Sequence, residues 1–203
     1  KQILPLCLFS MQGDTSSFRS KEFFPEAIVT DYLAVRATQP YSLEFYEKTL
    51  QDRHFVRELY REEQDKMRDA MEKAVEKAKT YQGKYLVVTC DVSNIAKKRS
   101  YPSIGKLHNA VQTHFAQKGQ KGDQKEPTVS ILYTRDRLSF RANHSAADLG
   151  FSANVVITAL KEEYGSHGFT GGGHNVAAST KFPKEYGKEI ARKTIYLVNQ
   201  LNE

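Results

Sequence analysis

The sequence predicts an α/β chain in three parts: the end of one α/β domain, a long linker helix, and a C-terminal α/β domain on a mixed sheet. Three observations carry that prediction. From Ser42 to about Tyr81 there is no Gly or Pro, and Glu, Lys and Arg are dense, which reads as one long helix. Tyr85–Cys90 is a continuous apolar run of strand length, as a buried strand requires. Thr128–Thr134 and Leu138–Ala142 read as two strands joined by the tight turn Arg135-Asp136-Arg137, a hairpin. The predicted parts are 1–40, 41–82 and 83–203.

Taken in order, Ile3, Leu4, Leu6, Cys7, Leu8 and Phe9 form a buried element, with Pro5 tolerable only near its start. A polar loop, Gln12 to Arg19, follows. Pro25 opens a helix to about Ala37, with Ile28, Val29, Tyr32 and Leu33 on one stripe. Pro40 breaks the chain and Ser42 is placed to cap the long helix. Leu50, Phe55, Leu59, Met67, Met71 and Val75 mark its sparse apolar stripe. Glu62, Glu63, Asp65, Lys66 and Arg68 alternate in sign on its outer faces, the pattern of a helix that bridges domains.

Gln82-Gly83 ends that helix. Ile104 to about Gln117 reads as a helix, and the Gly-, Lys- and Gln-rich stretch from Lys118 to Glu126 as a loop. Phe151–Tyr164 reads as a helix with Val155, Val156, Ala159 and Leu160 inward. Gly165–Ser179 reads as a glycine loop, and Asn175–Lys181 as a last strand overlapping its end. Pro183 opens a final helix to about Leu201, with Ile190, Ile195, Leu197, Val198 and Leu201 packing back.

The bulk numbers suit a core-forming chain. Of 203 residues, 39% are hydrophobic and 27% charged. The net charge of +6 fits a polyanionic partner. Cys7 and Cys90 sit among apolar residues without metal-like spacing, so both read as reduced core thiols of a cytoplasmic protein. No apolar run approaches membrane-spanning length. No Ser-His-Asp set, P-loop or cysteine zinc site is visible.

Chemistry concentrates in few places. Gly171, Gly172 and Gly173 end in His174; free amides from such a segment form an anion-binding concavity, and the histidine adds a switchable donor. A surface loop is the plainer alternative. Arg141 on its strand is either a solvent-face residue or a fixed phosphate clamp. His144, Ser145 and Asn154 follow it. Asp14, in a polar loop after a buried element, is either a turn residue or a ligand for a hard cation. Asp91 is open in the same way. His54, His108, His114 and His167 read as structural or exposed.

Phe140-Arg141-Ala142 on a strand, a helix, then Gly171-Gly172-Gly173-His174-Asn175-Val176-Ala177-Ala178 resembles the C-terminal substrate-binding domain of the DHH phosphoesterase superfamily. That superfamily includes RecJ-like exonucleases, oligoribonucleases and cyclic-dinucleotide phosphodiesterases. Gly13-Asp14-Thr15-Ser16-Ser17-Phe18-Arg19 is similar to the last motif of its N-terminal catalytic domain, although Ser16, like Ser179, stands where the family usually has Gly. The Asp-His-His triplet that names the family is not in these 203 residues, so the expectation is the C-terminal part of a longer enzyme, inactive by itself.

The resemblance implies a phosphodiesterase using Mn²⁺ or Mg²⁺, with Asp14 as a metal ligand. Arg141, His144, Ser145, Asn154, Gly171, Gly172, Gly173 and His174 would hold a phosphate of single-stranded DNA or RNA or of a short oligonucleotide. A replication or repair protein is a further partner the resemblance allows, and no membrane is expected. Alternatives are an oligoribonuclease or cyclic-dinucleotide phosphodiesterase, and a non-catalytic binding module. The related domain of alanyl-tRNA synthetases fits less well, because of the Asp14 motif and the linker helix.

Overall fold

The computed structural model describes residues 25–37, 39, 41–97, 100–118 and 126–202. Cys7, Asp14, the apolar element before them and most of the Gly-Lys stretch after Lys118 lie outside these residues. Contacts divide the chain into two units: residues up to Ala70 with Lys97–Ser103, and Met71–Ala96 with Ile104 onward.

The first unit holds α1 (Pro25–Arg36), α2 (Leu43–Gln51) and most of α3 (Arg53–Lys77). Its core joins Val29, Tyr32 and Leu33 of α1 to Val56 and Leu59 of α3 and to Tyr101. The Tyr32 and Tyr101 rings meet edge to face, 4.9 Å between centroids. The Tyr101 hydroxyl donates to Oε1 of Glu63. Burial, reinforced by that carboxylate, pushes the Tyr101 pKa well up. Glu62 accepts from Arg36 at 3.1 Å and Lys66 at 2.6 Å, both of which also donate to the Tyr32 hydroxyl.

The one long helix of the sequence reading is two helices in the structure. It breaks at Asp52, whose Oδ1 accepts from the amides of His54 and Phe55 at 3.0 Å and so caps a new helix. An Asp can compete with the helical ladder in this way with no Gly or Pro nearby. The break re-phases the apolar stripe: Val56 is inward, while Phe55 is 40% exposed. Glu63, expected outside, is 3% exposed. The second helix also stops at Lys77, and Lys79–Gln82 forms a short strand, β1, where Thr80 and Tyr81 suit a pleated edge.

The second unit is a six-stranded mixed sheet among the described residues, in the order β1-β2-β3-β4-β6-β5. Its other strands are β2 (Leu86–Asp91), β3 (Thr128–Tyr133), β4 (Arg137–Ala142), β5 (Thr170–His174) and β6 (Ala177–Lys181). β2 and β3 are parallel, connected by α4 (Ile104–Lys118); the other neighbours are antiparallel. The β3–β4 hairpin forms as the sequence predicts. Strand alternation puts Val87, Val129, Ile131, Leu138 and Phe140 on one face, packed with Val156, Ile157 and Leu160 of α6 (Ala153–Tyr164) and Ile190 and Val198 of α7 (Gly187–Gln200). α4 lies against β3 and β4 on the other face.

Two inward assignments fail. α6 begins at Ala153, so 153, 156, 157, 160 and 164 face in; Val155 is 57% exposed. Leu201 lies just past the end of α7 and is exposed. Between β4 and α6 a short helix, α5 (His144–Asp148), is capped by Asn143, whose Oδ1 accepts from the amide of Ala146. Cys90 is a buried free thiol with a pKa pushed up to about 11, mainly by burial. No described helix is long and apolar enough to cross a membrane.

Asp52→Ala should lower stability by about 1 kcal/mol, the usual worth of an N-cap. Urea unfolding followed by circular dichroism checks this; an unchanged midpoint would show that the cap bonds contribute nothing.

Candidate functional site

On the side of the sheet where α4 covers β3 and β4, the register builds three rows across β4, β6 and β5. Arg137 is opposite Lys181, which is opposite Thr170. Ser139, Ser179 and Gly172 make the next row. Arg141, Ala177 and His174 make the third. All of these row residues except His174 floor a cleft of about 750 Å³, whose lining also takes in Ile104 and Gly105, the first residues of α4. That volume suits a ligand of nucleotide size. The first-turn amides of a helix have no intrahelical partner and favour an anion.

The charges are placed against ordinary sheet preference. Like charges directly opposite on neighbouring strands destabilise a sheet, yet Arg137 and Lys181 are such a pair. Arg137 and Arg141 are two strand repeats apart, about 13 Å. Between these cationic ends lie hydroxyls and one bare glycine.

Arg141 is half-buried and held from two sides. Its Nε donates to Oδ1 of Asn109 at 3.1 Å, and one terminal nitrogen donates to the Phe140 carbonyl at 3.0 Å. Burial lowers its pKa, but a guanidinium stays cationic. Asn109 is positioned by its neighbour His108, which is fully buried between α4 and the sheet. His108 Nδ1 lies 2.8 Å from Ser139 Oγ, and Nε2 lies 3.2 Å from the Ser130 carbonyl and 2.8 Å from Ser130 Oγ. A carbonyl only accepts, so Nε2 carries the proton and Nδ1 accepts from Ser139. Burial first, and the Arg141 charge second, push the His108 pKa down to about 3. The imidazole is therefore neutral and adds no charge beside the arginine.

The glycine segment is not the loop the sequence suggests. Residues 171–174 are strand residues of β5, paired with β6 through a tight turn at Asn175-Val176. Only Thr170, Val176 and Thr180 here favour strand by themselves, so it is the cross-strand pairing with Ala177–Lys181 that overrides the flexibility of glycine. The three glycines differ in kind. A Cβ on Gly173, at φ +151°, would sit 2.4 Å from the Ala177 carbonyl; one on Gly171 would meet Thr180 at 2.7 Å. A Cβ on Gly172 meets nothing within 4 Å. Packing explains the outer two glycines and leaves the middle one, on the cleft floor, unexplained by the fold.

The structure thus brings Arg141, Gly171, Gly172 and Gly173 into one cleft lining, and sets His174 in the Arg141 row two strands away. His144 and Ser145 open α5 and are not part of that lining. Asn154 Nδ2 donates to Asn175 Oδ1, as does the Ser152 hydroxyl, so Asn154 ties the hairpin turn to the start of α6. Asp91 accepts from the Ser93 amide at 2.9 Å, a turn role. Sequence reasoning missed Arg137, Lys181, Ser139, Ser179 and the α4 start. The alternation of β4, Arg-Leu-Ser-Phe-Arg, was the available signal. For the divalent metal that the resemblance implies, the described residues offer no group of three or more His, Cys, Asp or Glu able to hold it.

No family model matches the chain. An uncharacterised protein of Methanocaldococcus jannaschii is 27% identical over 114 residues, 56% of this chain and 15% of that protein. Among solved structures, a DHH domain described as a member of a family of ribosomal proteins aligns over 96% of this chain and 49% of its own, with TM-score 0.76 and 24% identity. RecJ from Thermus thermophilus, in complex with Mg²⁺, aligns over 98% of this chain and 29% of its own, with TM-score 0.52 and 12% identity. The chain therefore shares its fold with a DHH-domain protein and a RecJ, and spans half or less of the length of each protein it resembles.

Gly171→Ala and Gly173→Ala should each destabilise by about 1–3 kcal/mol through overpacking, whereas Gly172→Ala should leave the melting temperature unchanged. Thermal melts of the three variants decide it; equal losses would mean that Gly172 is also a packing glycine. His108 gives a second expectation. Its folded pKa lies below its unfolded one, so the unfolded chain binds the extra proton and stability falls as pH drops from about 6.5 toward 3. The His108 contribution to the slope should approach about 1.4 kcal/mol per pH unit and be lost in His108→Gln. Urea unfolding between those limits measures it; parallel wild-type and variant profiles would contradict a buried neutral imidazole.

Proposed function

We propose that this chain is the C-terminal part of a DHH-superfamily phosphodiesterase, resembling RecJ-like exonucleases, and that its cleft holds the phosphate backbone of a single strand. The observation that carries the reading is the cleft floor: Arg141 at one end and Arg137 with Lys181 at the other, about 13 Å apart along the strand. A single phosphate uses one end. A chain of linked phosphates uses both, and offsets the repulsion of the Arg137–Lys181 pair. The superfamily fold supports hydrolase chemistry in the parent protein, and the Mg²⁺ in the RecJ structure supports a divalent metal there.

In this reading Arg141 is the phosphate clamp. Asn109 and the Phe140 carbonyl occupy Nε and one terminal nitrogen, so the remaining N–H groups serve the ligand. The α4 amides add an uncharged anion site beside it. Ser139 and Ser179 supply hydroxyls along the strand path, and Gly172 leaves room for close approach of the sugar-phosphate chain. His174 closes the Arg141 row. Metal-assisted hydrolysis would belong to the parent, with Asp14 among the ligands, in a cytoplasmic protein whose Cys90 stays reduced.

Arg141→Ala should weaken binding of a labelled, 5′-phosphorylated oligothymidylate by about 1–3 kcal/mol, the scale of a lost charge-assisted contact. Binding should persist in EDTA, because the contacts proposed here are cationic side chains, hydroxyls and helix amides. Lys181→Ala should cost little with a dinucleotide and clearly more with longer strands. Fluorescence anisotropy across strand lengths reads all three. Wild-type affinity in Arg141→Ala would remove the cleft from the account, and equal losses at every length would favour a small substrate such as a cyclic dinucleotide.

A further inference from the structure

A second cationic surface lies in the first unit, on α3. At 3.6 residues per turn, Arg53, Arg57 and Arg61 fall within a sector of about 80°, spaced one turn apart over about 12 Å of helix. All three are exposed, and Gln64 and Arg68 fall in the same sector. The acidic residues of this stretch of helix lie mostly outside that sector, and two are paired with cations other than the row. Asp65 takes Arg68 at 2.6 Å, and Glu62 takes Arg36 and Lys66, while Glu58 lies 3.7 Å from His54, an ion pair only with a protonated imidazole. The charges of α3 are thus segregated, not alternating. Among the described residues Arg53, Arg57 and Arg61 have no ion-pair partner.

This row breaks two local preferences at once. Arg53–Arg57 and Arg57–Arg61 are like-charged i,i+4 pairs, which oppose the helix. Arg53 also opens the helix, where the macrodipole favours acids, and the first turn of α3 contains none beyond the cap Asp52. No ion pair among the described residues compensates. Violations of local preference without a structural gain are a mark of function.

We infer that the Arg53–Arg57–Arg61 row is a docking track for the phosphate backbone of single-stranded nucleic acid, separate from the cleft on the sheet. The chemistry selects this partner. All three cations are guanidiniums, whose planar forks match phosphate oxygens bidentately. Their one-turn spacing is regular, as a backbone of repeating phosphates is. From Arg53 to Arg68 the sector contains no aromatic or aliphatic residue, so it lacks the apolar anchor that a protein interface centres on. Contacts of this type hold a strand without reading its sequence.

The test is fluorescence anisotropy of the 203-residue chain with a labelled single-stranded oligothymidylate at several salt concentrations, with labelled poly-L-glutamate as a second polyanion. R53Q/R57Q/R61Q should bind the oligonucleotide about tenfold or more weakly at low salt, with the slope of log K against log salt smaller by about 2, as loss of three phosphate contacts requires. The melting temperature should hold or rise, since two repulsive pairs are removed. The same row changed to lysine should keep the slope and recover part of the affinity. Repeating the triple change in an Arg141→Ala background separates the two surfaces: the track predicts the same loss there, whatever Arg141 itself contributes. Wild-type affinity and slope in a folded triple variant would overturn the inference. Tighter binding of poly-L-glutamate than of the oligonucleotide would overturn it in favour of an acidic protein partner. Should the triple variant fail to fold, Arg57→Gln alone must still lower the slope, and an unchanged slope there overturns the proposal equally.

Discussion

The candidate cleft depends on one buried polar contact, the neutral imidazole of His108 held between Ser130 and Ser139. A ring with no access to water must find partners for both nitrogens, and α4 lies over β3 and β4 where Ser139 and Ser130 provide them. That requirement sets the rotation and height of α4 on the sheet. Asn109, the next residue, then meets the Arg141 Nε, and the helix start at Ile104 and Gly105 comes to the edge of the covered area. β6 and β5 are left open beyond it. A charged histidine would place a second cation against Arg141, so burial of the neutral form keeps the arginine field undivided.

The sheet itself shows what the cleft floor gives up. An edge hairpin gains stability from cross-strand side-chain pairs. Here β5 offers three glycines, and the β4–β6 pair includes two cations face to face. Gly171 and Gly173 offset their cost by letting β5 close against Thr180 and Ala178. Gly172 and the Arg137–Lys181 pair have no such compensation among the described residues. Their positions coincide on one surface, which is the physical basis for reading that surface as a place where an anionic chain lies. On α3 the same logic operates through helix charges in place of strand pairs.

Much of this is legible in the sequence because it rests on local periodicity. The apolar run of β2 and the β3–β4 hairpin translate directly into buried strands, and α4 and α6 form where the sequence places helices, with Val155 of α6 turned outward. Arg141 stands out because an arginine between buried strand residues has to be held by something. Other features depend on partners distant in sequence. His108 reads like any scattered histidine, since Ser130 and Ser139 are 22 and 31 residues away. The Asp52 cap is hidden by the absence of Gly or Pro, and the break it causes moves Phe55 out and Val56 in. The glycine triplet reads as a loop because its strand character comes from pairing with β6, not from its own preference. The charges of α3 alternate along the sequence, and only the helical projection separates them into two sectors.

The account stands most directly on whether a phosphate chain occupies the cleft floor. Titrating the isotope-labelled chain with a 5′-phosphorylated oligothymidylate, and following backbone amide and arginine Nε resonances by NMR, measures this at residue level. The predicted result is shifts concentrated at Ile104, Gly105, Arg137, Arg141, Gly172 and Lys181, unchanged by EDTA. Saturable binding that leaves these resonances in place and moves others would contradict it.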